Sequence, residues 1–206
     1  MNAEGLVSTR RSLHAVAELL LAGPAYDRDG DIRLRATPGG FGVWQQPGSR
    51  VEGTDLVVDG GRVPIIGSIA GLADAIGGTP RSLSDVYPSA VDVALDEPLR
   101  IDPAAAAELA AAFELGDAAL TMLAPEAERV LWPEHFDIAC TVGKINFGVS
   151  PGDSFLTVPY AYVGPWRVPT GDFWNAPFGA ARALSEFTDC SAVAAFFERG
   201  RSGAGS

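Results

Sequence analysis

Two short turn segments divide the last third of this 206-residue chain and so constrain its fold. They are Val142-Gly143-Lys144 and Pro151-Gly152-Asp153. Parallel neighbouring strands need a long crossover connection, which neither segment can supply. We therefore expect an antiparallel meander of three strands, at about 128–142, 144–149 and 155–163.

Hairpins and helices are predicted in the first half of the chain. Ser8 can cap an amphipathic helix that Gly23 and Pro24 would end. Alternating residues predict one hairpin at about 32–45 and a second at about 56–65, where Asp59-Gly60 suits a tight turn. Ser68 can cap a short helix that Gly77-Gly78 would end.

Two more helices are predicted beyond the turn-rich stretch 79–98, which is itself a candidate boundary or lid. Asp102 followed by Pro103 is a strong helix start, and the helix should continue to Pro125, with a bend or break at Gly116. The last helix is expected from about Cys190 to Arg199.

These elements predict an α+β fold. Antiparallel hairpins and the C-terminal meander would pack against about four helices, because helices do not alternate with single strands as in a doubly wound fold. We expect a single domain over 1–206, with possible subregions at 1–98 and 99–199 and a loose tail at 200–206.

Ten of the eighteen aromatic residues lie between Trp132 and Phe178, together with the sole lysine and one of two histidines. Four phrases carry them: Trp132-Pro133-Glu134-His135-Phe136-Asp137, Gly148-Val149-Ser150-Pro151-Gly152-Asp153, Pro159-Tyr160-Ala161-Tyr162-Val163-Gly164-Pro165-Trp166 and Phe173-Trp174-Asn175. If function is visible in the sequence, it lies in this segment.

These phrases resemble the pattern of an uncharacterised group of actinobacterial proteins. More distantly, they are similar to a domain-of-unknown-function family with a Trp-Pro-x-His-Phe-Asp core. The stretch 32–42 also fits the closer group, whereas the tail after Arg199 does not. The resemblance implies a common fold over most of the chain and brings no known activity or catalytic residue.

His135 and Asp137 are the candidate catalytic residues. In an extended strand they would share one face, with Phe136 and Ile138 on the other. Asp137 could then orient the imidazole for proton transfer, or both could ligate a metal ion. The structural alternative is that both satisfy backbone groups or a tyrosine at the sheet edge.

A ligand pocket is the second hypothesis for this segment. Tyr160 and Tyr162 share a strand face and, in a sequential meander, would lie near Asn146 and, one strand farther, near His135 and Asp137. The remaining candidate ligand-binding residues are Asp153, Trp166, Trp174 and Asn175. Such a pocket suits a neutral or cationic small molecule. The alternatives are that the aromatics form core and that Asp153 only caps a turn.

Composition excludes several classes of function. The net charge is −11 and there is no basic stripe, so nucleic acid is not expected as a partner. No apolar run or leader indicates a membrane or an export signal, and a cytoplasmic protein with reduced Cys140 and Cys190 is expected. No motif indicates a cofactor or a dedicated metal site, and His14 is expected to be a structural histidine at the edge of an apolar stripe.

The leading functional hypothesis is therefore a small-molecule binding protein whose pocket is built from 132–178. The alternatives are an enzyme that uses the His135–Asp137 pair, with or without a metal, and a protein-interaction module that uses the stretch 79–98.

Overall fold

The computed structural model describes residues 3–45, 48–59, 61–88 and 90–204. Its fold is α+β, with antiparallel strands, as predicted. The chain forms two compact units, one of residues 1–111 and 131–136 and one of residues 112–130 and 137–206. None of the helices in the described ranges combines the length and the apolarity needed to cross a bilayer.

The N-terminal helix of the first unit is longer than predicted. It comprises α1 (Ala3–Val16), a π-helical turn (Ala17–Ala22) and α2 (Gly23–Asp29), and the residues at both junctions are right-handed helical. Ser8 lies inside α1, where its hydroxyl donates to the carbonyl of Gly5, so the predicted cap is wrong. The helix ends at Gly30, which has a left-handed backbone (φ 70°).

The prediction that Gly23 and Pro24 end this helix is also wrong. Pro24 lies in the first turn of α2, inside the continuous helix and next to the π-helical turn, where it removes one backbone donor. Gly23 serves close packing instead, because a Cβ there would lie 2.0 Å from the carbonyl oxygen of Arg81. The Arg81 N–H donates to Leu19 O at 2.9 Å, so the segment around Arg81 is attached to the N-terminal helix at this point.

The strands of the first unit follow the order β6-β1-β2-β3-β4-β5. Their bounds are β1 Leu34–Thr37, β2 Gly40–Val43, β3 Arg50–Glu52, β4 Asp55–Val58, β5 Gly61–Pro64 and β6 Val130–Trp132. Both predicted hairpins are confirmed, although Gly60 of the second turn lies outside the described residues. Strand β3 was not predicted. One face of this sheet is core, formed by Leu34, Phe41, Val51 and Leu56.

The predicted caps of two helices are confirmed. Helix α3 (Ile69–Ile76) begins after Ser68, whose hydroxyl accepts from the Gly71 N–H, and ends at left-handed Gly77. Helix α4 (Pro103–Leu123) begins after Asp102, whose carboxylate accepts from the Ala105 N–H at 2.9 Å. Gly116 does not divide α4. Between α3 and α4, the described residues of 79–98 form neither helix nor strand, as expected, and they lie within the first unit.

The second unit contains the predicted meander. Its strands are β7 Asp137–Val142, β8 Ile145–Ser150, β9 Tyr160–Pro165 and β10 Ala180–Ala183, paired in that order. The single strand expected at 128–142 is instead two strands with a turn at 133–136, where Phe136 has φ 53°. The third strand begins at Tyr160 rather than near 155, and β10 was not predicted.

The core of the second unit lies on one face of this meander. Ile138, Phe147, Val149 and Val163 are fully buried there. Gly116 of α4 lies against this face, since a Cβ on it would be 2.8 Å from Ile138. Helix α5 (Cys190–Ala204) also packs here and continues beyond the predicted end at Arg199. Residues 200–204 are therefore helical rather than loose tail, and residues 205 and 206 lie outside the described ranges.

Candidate functional site

The opposite face of the meander carries two tyrosine–carboxylate pairs. The Tyr162 phenol donates to Oδ2 of Asp137, and the Tyr160 phenol donates to Oδ2 of Asp153 at 2.6 Å. The register places Ser150 opposite Tyr160. Asp137, Ser150 and Tyr160 are all buried. The sequence prediction that Tyr162 lies near Asp137 is confirmed.

Gly148 on β8 allows the Tyr162 side chain to extend across β8 to Asp137 on β7. Tyr162 on β9 is paired with Gly148 on β8, and Asp137 lies on β7, one strand farther. A Cβ on Gly148 would lie 2.6 Å from the Tyr162 hydroxyl oxygen and ring carbon Cζ. The ring therefore passes over bare backbone at Gly148 to reach the carboxylate.

Asp153 lies in the loop between β8 and β9. Its carboxylate accepts from the backbone N–H groups of Phe155 at 2.7 Å and Leu156 at 3.1 Å, in addition to the Tyr160 phenol. Asp153 itself is exposed to solvent. Three donors thus fix a carboxylate that still faces water.

Aromatic rings surround the Asp153 loop. Phe155 lies 5.1 Å from Phe178 and 6.1 Å from Tyr160, measured between ring centroids, and both pairs meet edge to face. Phe178 also contacts the ring of Tyr162. Phe155 is 44% exposed, whereas Tyr160 is 3% exposed. The cluster therefore has a buried base and an exposed aromatic edge.

Burial and neighbouring carboxylates keep both phenols protonated. Burial raises the pKa of Tyr162 well above its usual value, and the charge of Asp137 adds to that effect. Burial and the bond to Asp153 likewise raise the pKa of Tyr160. At neutral pH both tyrosines are donors and neither is a base.

His135 does not lie on the strand that was expected to align it with Asp137. It belongs to the turn before β7, with a side chain that is 65% exposed and Nε2 3.9 Å from Glu134 Oε2. The expected shared strand face is therefore wrong, and the catalytic role of the two residues stays a prediction.

The other candidate residues each have structural contacts of their own. Asn146 accepts from the Thr141 hydroxyl at 2.8 Å. The side-chain amide of Asn175 hydrogen-bonds with both the N–H and the carbonyl of Ala181 on β10. Trp174 stacks edge to face on Phe173, and Trp166 is 70% exposed beyond the end of β9. Asp137, Asp153, Tyr160 and Tyr162 are the candidates that the structure brings together.

Phe155 and Phe178 complete the aromatic cluster but were not among the predicted site residues. Phe155 was assigned to a strand, and Phe178 lies in a loop without a motif. Glu18 in the first unit was not predicted either. Glu18 is fully buried in the π-helical turn, and its carboxylate accepts from Leu83 N–H, Tyr87 OH and Val91 N–H. The signal was an acid inside the apolar run Ala17–Ala22.

The described ranges contain no group of three or more His, Cys, Asp or Glu side chains that could hold a metal ion. Comparison with known proteins gives no match: no family model fits the chain, and no curated protein or solved structure is significantly similar to it.

Proposed function

We propose that this protein binds a small organic cation at a surface formed by Asp153, Phe155, Tyr160 and Phe178, here called the Asp153 surface. The observation that carries the proposal is the Asp153 carboxylate, which is exposed, fixed by three donors and bordered by aromatic rings. A preorganised site binds with less loss of conformational entropy than a mobile one.

The charge of the site favours a cation. Two backbone amides and one phenol are neutral donors, so they hold the Asp153 carboxylate without cancelling its negative charge. Aromatic faces attract ammonium groups, and carboxylates pair with them. The net charge of −11 adds a field that concentrates cations near the protein surface.

Binding without catalysis is favoured by the state of the polar groups. Tyr160 and Tyr162 donate their protons to carboxylates, and their raised pKa values remove them as bases at neutral pH. The enzyme alternative requires His135 and Asp137 to act together. Asp137 instead accepts a hydrogen bond from the Tyr162 phenol.

The test is a titration with tetramethylammonium and choline, followed by the NMR shifts of the Phe155 and Leu156 amides. Saturable shifts are expected in the wild type. Asp153→Asn should weaken binding about tenfold or more, and Phe155→Leu should weaken it several-fold.

The matched control is Asp189→Asn, since Asp189 is also exposed and also accepts from a backbone amide, that of Ala192. This variant should bind like the wild type. Equal affinity of the Asp153→Asn variant and the wild type, or shifts that never saturate, would overturn the proposal.

A further inference from the structure

A cleft of about 270 Å³ lies on the first unit, lined by residues of β1 to β4 and of the adjoining loops. Its lining includes Arg35, Thr37, Ser49, Arg50 and Asp59. Ligand pockets commonly enclose about 300–1,000 Å³, so a cleft just below that range suits a ligand at the small end of the usual sizes.

The strand register explains the shape of the cleft. Arg35 on β1 is opposite Gly42 on β2, and Gly42 is opposite Arg50 on β3. Directly opposed residues in antiparallel strands share a face, so two arginines flank a strand position that has no side chain. Strands lie about 4.8 Å apart, which separates the two arginine Cβ atoms by roughly 10 Å. A Cβ on Gly42 would lie 2.6 Å from Arg50 Cβ and would begin to fill this gap.

The arginines are positioned by neighbouring acceptors. Nε of Arg35 donates to the carbonyl of Val43 at 3.2 Å, and Nη2 of Arg50 donates to Glu52 at 3.1 Å. A guanidinium has five N–H donors, so a single contact of this kind leaves Arg50 with donors for a ligand. Planar guanidinium groups bind the paired oxygens of carboxylates and phosphates well.

Thr37 provides an independent indication of a ligand. Thr37 is one of the residues that line the cleft, two residues from Arg35 on the same face of β1, and it is only 8% exposed. Among the described residues, its hydroxyl oxygen has no hydrogen-bond partner. Buried hydroxyls are nearly always paired, so an unpaired one beside a cleft indicates a partner supplied from outside the chain.

From these observations we infer that this cleft binds a small molecule through an oxyanion group, a carboxylate or a phosphate, held by Arg35 and Arg50 and by the Thr37 hydroxyl. Asp59 lines the same cleft and can accept from a hydroxyl or ammonium group elsewhere on the ligand. This site shares no residue with the Asp153 surface and takes a ligand group of opposite charge.

The experiment titrates the full chain with inorganic phosphate in one arm and with acetate in the other, at constant ionic strength set by chloride. The amide shifts of Thr37, Gly42 and Arg50 are followed by NMR. Saturation in one arm identifies the oxyanion. Arg50→Met should weaken that binding about tenfold or more. Arg62→Met is the matched control, because Arg62 pairs with Glu52 on the same sheet but does not line the cleft.

Thr37→Val gives a second readout that does not depend on the arginines. If the hydroxyl awaits a ligand, this nearly isosteric change should raise the melting temperature of the ligand-free protein and weaken binding of the oxyanion. A lower melting temperature with unchanged binding would assign Thr37 to the fold alone. That result would overturn the inference, and so would amide shifts that saturate with neither phosphate nor acetate.

Discussion

At the scale of single residues, the Tyr162–Asp137 pair shows how one hydroxyl supports a buried acid. Asp137 is 6% exposed, and the Tyr162 phenol donates to its carboxylate. Tyr162→Phe removes that donor and keeps the ring. We expect the variant to lose about 1–3 kcal/mol of unfolding free energy, because a buried acceptor loses a partner. Urea unfolding at neutral pH measures the loss.

Tyr160→Phe is the matched control for this prediction. Tyr160 lies on the same strand, but its acceptor Asp153 is exposed, so water can replace the phenol. Its loss should therefore be smaller than that of Tyr162→Phe. Equal losses would show that burial of the carboxylate is not what makes the bond important.

His14 gives the first unit a dependence on pH. Its ring stacks on Phe136 at 5.1 Å, and its Nε2–H donates to the carbonyl of Pro133 at 2.6 Å. Burial lowers the pKa of His14, so below about pH 6.5 the unfolded chain takes up a proton that the folded chain resists. Stability should be complete above this pH and fall as the solution is acidified.

The measurement compares unfolding free energy at pH 7.5 and pH 5.5. The wild type should lose stability over this interval, and His14→Gln should lose less, although it is less stable at pH 7.5. His135→Gln removes an imidazole that is 65% exposed and serves as the control for loss of a surface histidine. If His14→Gln lost as much unfolding free energy as the wild type between pH 7.5 and pH 5.5, the pH dependence would not come from His14.

At the scale of elements, Glu18 connects the described residues of 79–98 to the N-terminal helix. One carboxylate oxygen accepts from Leu83 N–H, and the other accepts from Tyr87 OH and Val91 N–H. Glu18→Gln turns one of these acceptors into a donor. We expect a loss of about 1–3 kcal/mol and faster amide exchange at Leu83 or Val91. Hydrogen exchange resolved by residue checks this.

Glu97→Gln is the control on the same stretch, because Glu97 pairs with Arg11 at the surface. Exposed ion pairs contribute about 0–1 kcal/mol, so this variant should leave the Leu83 and Val91 amides protected. If both variants loosen the stretch equally, general removal of charge rather than the Glu18 bonds would be responsible.

Features set by residues that are close in the sequence were predicted more completely than features that depend on distant contacts. Ser68 and Asp102 were identified as caps because a cap depends on residues within one turn of the helix. The strand register likewise placed Tyr162 near Asp137. The turn at 133–136 escaped prediction because a left-handed Phe136 is rare, and its ring is stabilised by contacts with distant His14 and Phe41.

The candidate sites were only partly predictable for the same reason. Asp153 was recognised from its turn, whereas the aromatic edge around it needs Phe178, which lies 25 residues later in the chain. The apolar run around Glu18 signals a buried acid but does not reveal its distant partners Leu83, Tyr87 and Val91. The predicted hairpin pairs Arg35 with Gly42, but it does not bring in Arg50. Arg50 in particular lies on β3, which was not predicted as a strand.

At the scale of the whole molecule, the excess of acids over bases should make stability depend on salt. A net charge of −11 makes the folded chain repel itself more than the expanded one. Raising sodium chloride from about 10 to about 150 mM shortens the screening length from about 30 to about 8 Å. The same change also weakens exposed ion pairs, but each of these contributes only about 0–1 kcal/mol.

We therefore expect the melting temperature at pH 7.5 to rise with sodium chloride over this range. The protein is its own control near pH 4.5, the isoelectric point of the sequence, where net repulsion vanishes. There, added salt should leave the melting temperature unchanged or lower it slightly as ion pairs weaken. A fall in melting temperature with salt at pH 7.5 would mean that pairs such as Arg62 with Glu52 and Asp55 outweigh the net charge.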